Sequence, residues 1–151
     1  MKYPTTVITV FMITLFQTAL ADESANTFFN KYIKLSDNYD YSVVKLYSDN
    51  AKVHMRRKYP NGLERTMELS GFQWKQLLTK SLPLAKAQND KSIFSKITIS
   101  KYGKGFKIKA HRYSSRKCYT DTGYYMVVTP DDTGELKIIE EYSETQPQSN
   151  C

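Results

Sequence analysis

His54 and His111 are the only imidazoles in the chain, and with Asp40, Asp121 or Glu140 either could form a general base and its orienting acid. The other reactive residue types lack the company they need. No His-x-x-x-His or paired-cysteine motif occurs, so no metal site is expected. Ser114-Ser115 lacks the glycine-flanked turn that presents a nucleophilic serine. Gly103-Lys104-Gly105 lacks the remaining glycine of a dinucleotide loop and the helix that should follow it. No cofactor is expected and no catalytic residue is assigned. What the chain holds in quantity is aromatic surface: 12 tyrosines, seven phenylalanines and a single tryptophan, Trp74. Such rings make either an ordinary core and sheet surface or the walls of a binding pocket.

Periodicity outlines the elements that must position these side chains. Phe28, Phe29, Tyr32, Ile33 and Leu35 recur at three- and four-residue spacing behind the capping types Asp22 to Ser24, which predicts an amphipathic helix ending near Asn38. A shorter helix is expected from Tyr41 to Ser48. Extended runs Val53–Tyr59 and Leu63–Leu69 flank Pro60-Asn61-Gly62, a strong hairpin signal. Ser70-Gly71 starts a third helix in which Phe72, Trp74, Leu77, Leu78, Leu82 and Ala85 form an apolar stripe, with Pro83 expected to kink or shorten it. From Phe94 onward the texture is extended. Ile97 and Ile99 alternate with polar residues, Gly103 to Gly105 reads as a turn, and Phe106, Ile108 and Ala110 alternate with Lys107, Lys109 and His111. Tyr119–Thr129 and Leu136–Tyr142 complete the set. Helices segregated from a run of strands predict an α+β fold.

Lys2, the mostly apolar run Val7–Leu20 and the small residues of Ala19-Leu20-Ala21 predict a signal peptide over residues 1–21, leaving residues 22–144 as the folded domain and 145–151 as a polar tail. The apolar run is short for a bilayer span, and no cysteine follows the cleavage site. The expected product is secreted or periplasmic, with no stable membrane anchor. The net charge of +7 favours anionic partners, with basic clusters at Arg56-Arg57-Lys58 and from Lys101 through Lys117. Alternation sends Lys107 and Lys109 to one side of a strand and Arg112 to the other, so the longer cluster is not continuous. No nucleic-acid motif is present and no nucleic-acid partner is expected. In an oxidising compartment Cys118 and Cys151 can form a disulfide within the chain, pair between chains, or remain free.

The segments Asp40-Tyr41-Ser42-Val43-Val44-Lys45-Leu46-Tyr47-Ser48-Asp49-Asn50-Ala51-Lys52-Val53 and Gly134-Glu135-Leu136-Lys137-Ile138-Ile139-Glu140-Glu141-Tyr142, in this order and spacing, resemble the second helix running into the first strand and the closing strand of the nuclear transport factor two and ketosteroid isomerase superfamily. The resemblance covers nearly all of residues 25–143. It implies three N-terminal helices packed on a strongly curved antiparallel sheet that forms a cone, the cystatin-like roll, with an open end able to hold a small molecule. Tyr32 stands eight residues before Asp40, at the spacing of the isomerases' oxyanion-stabilising tyrosine. The position of their general base falls on Met55, which takes no proton, and their late-strand carboxylic acid has no counterpart in Gly123-Tyr124-Tyr125. The resemblance therefore implies an exported domain that binds a small or amphipathic ligand without catalysis. Tyr32, His54, Trp74, Tyr113, Tyr125 and Tyr142 are the expected pocket residues. The alternatives are self-association or partner binding through the exposed sheet face, including a homodimer, and an isomerase- or hydrolase-like enzyme.

Overall fold

The computed structural model describes residues 24–149 and 151. The signal peptide expected over residues 1–21 lies outside the described residues. Helix α1 is seen over residues 24–37 and buries Ala25, Phe28 and Phe29, with Tyr32, Ile33 and Leu35 packed against the same core. It ends as the sequence suggested. Tyr39 takes a left-handed φ of 54°, while its N–H donates to Ser36 O and that of Asp40 to Leu35 O at 2.9 Å, the two-bond closure usually made with glycine.

The second helix is shorter than expected. Tyr41–Leu46 forms a 3-10 helix capped by the Asp40 side chain, with Val43 and Leu46 buried, and Tyr47 turns extended to open strand β1, Tyr47–Lys58. Adjacent β-branched Val43 and Val44 are poor helix formers, and the tight turn brings Tyr47 into the sheet rather than onto a helix. The predicted hairpin is present. β1 pairs with β2, Glu64–Ser70, antiparallel from Lys58 opposite Glu64, and Gly62 supplies the positive φ of 80° that the turn requires.

Ser70 caps helix α2, Gly71–Ala87, in a reciprocal box with Gln73. Pro83 lies inside this helix and does not end it. Only part of the expected stripe is buried. Leu82 is enclosed and Trp74 and Leu78 pack on the core, whereas Phe72 and Leu77 are 58% and 43% exposed. The sheet covers the helix on one side alone, and these two residues lie outside that contact.

The remaining strands are β3 (Ser92–Tyr102), β4 (Gly105–Ser114), β5 (Tyr119–Asp121), β6 (Tyr125–Pro130) and β7 (Leu136–Thr145). The sheet order is β2-β1-β7-β6-β4-β3, with β5 added beside β4. The expected alternation on β4 holds, with Phe106, Ile108 and Ala110 all buried. The run expected as one strand over Tyr119–Thr129 is two, because Asp121 Oδ1 accepts from Gly123 N and turns the chain. The sheet is curved with its helices on one side, an α+β architecture, but it is not wholly antiparallel. β1 and β7 pair in parallel, since both strands enter the sheet from the same end.

Candidate functional site

Four side chains from distant parts of the sequence meet inside the curve. Glu141 on β7 is only 5% exposed. Its Oε1 accepts from Tyr124 Oη at 2.7 Å and from Tyr32 Oη at 3.2 Å, and its Oε2 accepts from Tyr47 Oη at 2.6 Å. Helix α1 supplies Tyr32, the start of β1 supplies Tyr47, and the segment before β6 supplies Tyr124. A carboxylate has about four acceptor positions, and three are filled by phenols.

The sequence reading missed this cluster. Simple alternation from the buried Ile138 would turn Glu140 inward and Glu141 outward. Instead Val127 pairs with Glu140 and Val128 with Ile138, so Ile139 is an extra residue in β7. This β-bulge reverses the parity of everything after it. Glu141 then joins the inner face, and Glu140 faces outward to accept from Tyr125 Oη at 2.6 Å. No sequence signal marks a bulge between two consecutive isoleucines and two consecutive glutamates.

Burial, with the charge of Glu141 second, pushes the pKa of Tyr32, Tyr47 and Tyr124 well above the ordinary tyrosine value, so all three stay protonated at neutral pH. Beyond Tyr124 lies Arg112, its guanidinium 5.6 Å from that ring. It is held by Asp121 at 3.5 Å and by Glu144 O at 3.0 Å. Burial opposes its charge, but Tyr119, Tyr124 and Asp121 outweigh that and raise its pKa. Among the described residues no cation lies within ion-pair distance of Glu141.

A cavity of about 160 Å³ adjoins the cluster. Its walls include Tyr32, Tyr47, Trp74 and Phe94, and its rim includes Asp37, Tyr39, Asp90 and Lys91. The rings pack on one another: Tyr47 and Trp74 meet edge to face at 6.3 Å, as do Tyr32 and Phe94. Trp74 Nε1 is buried and meets no hydrogen-bond partner, although it lies close enough to the Tyr47 hydroxyl to favour that oxygen's ionised form. Both helices end at the rim. α2 closes as α1 does, with Asn89 at a φ of 47° and Asp90 N donating to Ala85 O, and Tyr39 Oη donates to Asn89 Oδ1 at 3.3 Å. Two non-glycine residues in the left-handed region thus clasp each other at the mouth, and a left-handed tyrosine costs on the order of 1 kcal/mol.

The expected pocket residues divide between two faces. Tyr32 and Trp74 line the cavity. His54, Tyr142 and Tyr125 share one face through the registers of His54 opposite Tyr142 and Tyr125 opposite Tyr142. That is the face away from Glu141, and alternation along β4 from Lys109, opposite Tyr125, puts Tyr113 there too. On this outer face Tyr125 and Tyr142 stack at 5.5 Å, Lys107 Nζ sits 3.7 Å over the Tyr125 ring, and Tyr142 Oη donates to Glu144. Glu144 also holds Lys58 at 2.6 Å. Burial, with the Glu140 bond second, pushes the Tyr125 phenol up to about 12.

The considered base-and-acid pairs do not form. His54 Nδ1 faces Glu68 at 3.3 Å, Asp40 caps the 3-10 helix, Asp121 holds Arg112 and Glu140 holds Tyr125. Arg112 turns inward as alternation required, which divides the basic cluster of residues 101–117. Among the described residues no group of three or more histidine, cysteine or acidic side chains is placed to hold a metal. Cys118 and Cys151 form a disulfide with Cα atoms 5.2 Å apart, and Ser149 N and Oγ donate to Lys117 O and Cys118 O, tying the tail to the β4–β5 turn.

Chemically, each phenol has one proton to give. Tyr32 and Tyr47 give theirs to Glu141, so neither has a proton left to offer an oxyanion.

No protein-family model matches the chain, and no curated protein matches its sequence. Solved structures do. An NTF2-like protein with a cystatin-like fold from Novosphingobium aromaticivorans superposes with a TM-score of 0.63 at 10% identity, over 93% of this chain and 91% of that one. An NTF2-like protein of unknown function from Pseudomonas putida gives 0.66 at 8% identity, over 83% and 87%. The yeast UBP3-associated protein BRE5 gives 0.57 at 15% identity, over 80% and 92%. The curved sheet, the helices on one side and these likenesses together give the chain the nuclear transport factor two-like, cystatin-like fold.

Proposed function

We propose that the chain is an exported, non-catalytic domain that holds a small ligand in the aromatic cavity between the ends of its two helices. The observation that carries this reading is the cavity itself, walled by four packed rings, two of them tyrosines whose hydroxyls Glu141 holds in place. Fixed polar groups under apolar walls are the usual composition of a ligand site. The volume limits the occupant. A dry cavity of roughly 150 Å³ accepts benzene, so a ring-sized molecule fits and a steroid does not. The absence of a proton acceptor at Met55 and the commitment of the phenol protons to Glu141 argue against proton-transfer chemistry. The leader-like residues 1–21 and the Cys118–Cys151 disulfide support export.

Trp74 is the only tryptophan, so its emission reports on the cavity alone. Titration with a panel of ring-sized metabolites is expected to shift or quench that emission with saturation. A crystal structure in which side chains fill the cavity, with no emission change across the panel, would defeat the reading.

A second reading has its own observation. Tyr102, Lys107, Tyr125 and Tyr142 form a preassembled ladder on the outer face, and rigid aromatic area is favoured at interfaces. In this reading the face binds a partner or a second copy, and light scattering that shows mass rising with concentration, abolished by Tyr142→Asp, supports it.

A further inference from the structure

We infer that the cavity selects a small organic cation, a ring-sized protonated amine, over neutral and anionic molecules of the same shape. This rests on the reading of the cavity as a ligand site and adds the chemistry of the ligand.

Two features point the same way. The first is charge. Glu141 is buried without a cation in ion-pair range, Arg112 being held by Asp121, and the rim adds Asp37 and Asp90 against Lys91. In a chain of net charge +7, this is a locally negative funnel, and low-dielectric walls strengthen such a field. The second is the walls themselves, Tyr32, Tyr47, Trp74 and Phe94, since aromatic rings attract cations most where water is excluded.

The test uses the mature chain from Asp22 and three probes of one shape: benzylamine, benzyl alcohol and benzoate, followed by Trp74 emission at pH 7 and low salt. Benzylamine is expected to bind about tenfold or more tightly than benzyl alcohol, with benzoate weakest and the preference shrinking as salt is added. Glu141→Gln should reduce the amine-to-alcohol ratio to about one. Because that variant can fail to fold, the double rim variant Asp37→Asn with Asp90→Asn provides a second measure and should lower the ratio severalfold. Benzyl alcohol or benzoate binding as tightly as benzylamine overturns the cation assignment and leaves the cavity reading standing. If no probe binds, the cation assignment falls. Xenon pressurisation of crystals then separates the two ideas, since an unfilled cavity under xenon removes the ligand-site reading as well.

Discussion

Tyr47 and Glu141 join at 2.6 Å although they are not neighbours in the ladder: Tyr47 lies opposite Ile138 and Glu141 lies opposite Val53. The tyrosine reaches along the inner face of β7 to the carboxylate, and Tyr32 and Tyr124 arrive from two other elements. A buried carboxylate satisfied by three hydroxyls ties α1, the start of β1 and the segment before β6 to β7.

The parity reversal at Ile139 makes two adjacent glutamates unequal. Glu141→Ala strands three phenols, two of them deeply buried, and is expected to destabilise by at least about 3 kcal/mol, because an unsatisfied buried polar group costs roughly 1–3 kcal/mol. Glu140→Ala releases only the part-exposed Tyr125 and should cost about 1 kcal/mol or less. Urea denaturation of both variants checks this, and a larger loss for Glu140→Ala than for Glu141→Ala would mean that alternation runs unbroken through β7.

Stability should fall at alkaline pH. Tyr32, Tyr47 and Tyr124 have higher pKa values folded than unfolded, so past pH ~10 the unfolded chain sheds protons that the folded chain keeps. Their contribution is intact below that value and is lost as pH rises through the raised values, at up to roughly 4 kcal/mol per pH unit for three such groups. Tyrosinate absorbance should show three of the 12 tyrosines silent until the protein unfolds. Smooth titration of all tyrosines near pH 10 in a still-folded protein contradicts the cluster.

The Cys118–Cys151 bridge closes a loop of sequence separation 33, for which chain entropy gives up to about 3.8 kcal/mol. Cys151→Ser is expected to lower the unfolding midpoint and to free the tail from Lys117. Native protein should show no reactive thiol before reduction, and two free thiols on unreduced protein would remove this element of the account.

Alanine is normally the better helix residue by about 1 kcal/mol, yet Gly71→Ala should destabilise. A Cβ there would overlap the Ser48 carbonyl oxygen and come within 2.9 Å of Ala51 Cβ, where α2 leaves the sheet against β1. Overpacking of this kind costs about 1–3 kcal/mol. Thermal melts decide the sign, and a raised midpoint would show that the α2 start has room to shift.

Local rules determined much of the fold. The spacing of Phe28, Phe29 and Tyr32, the Pro60-Asn61-Gly62 turn, the Ser70 cap and the alternation of Phe106, Ile108 and Ala110 each act within a few residues of chain, so each was legible in the sequence and each is present. Which face a tyrosine occupies was not. Tyr113, Tyr125 and Tyr142 look like Tyr32 and Tyr47 in composition, but their side is decided by strand register, and register is a property of paired strands. Phe72 and Leu77 remained exposed because the sheet reaches only one side of α2. The single inserted residue at Ile139 decided that Glu141 and not Glu140 enters the core, and it exists only in the pairing of β6 with β7, which no stretch of sequence carries by itself.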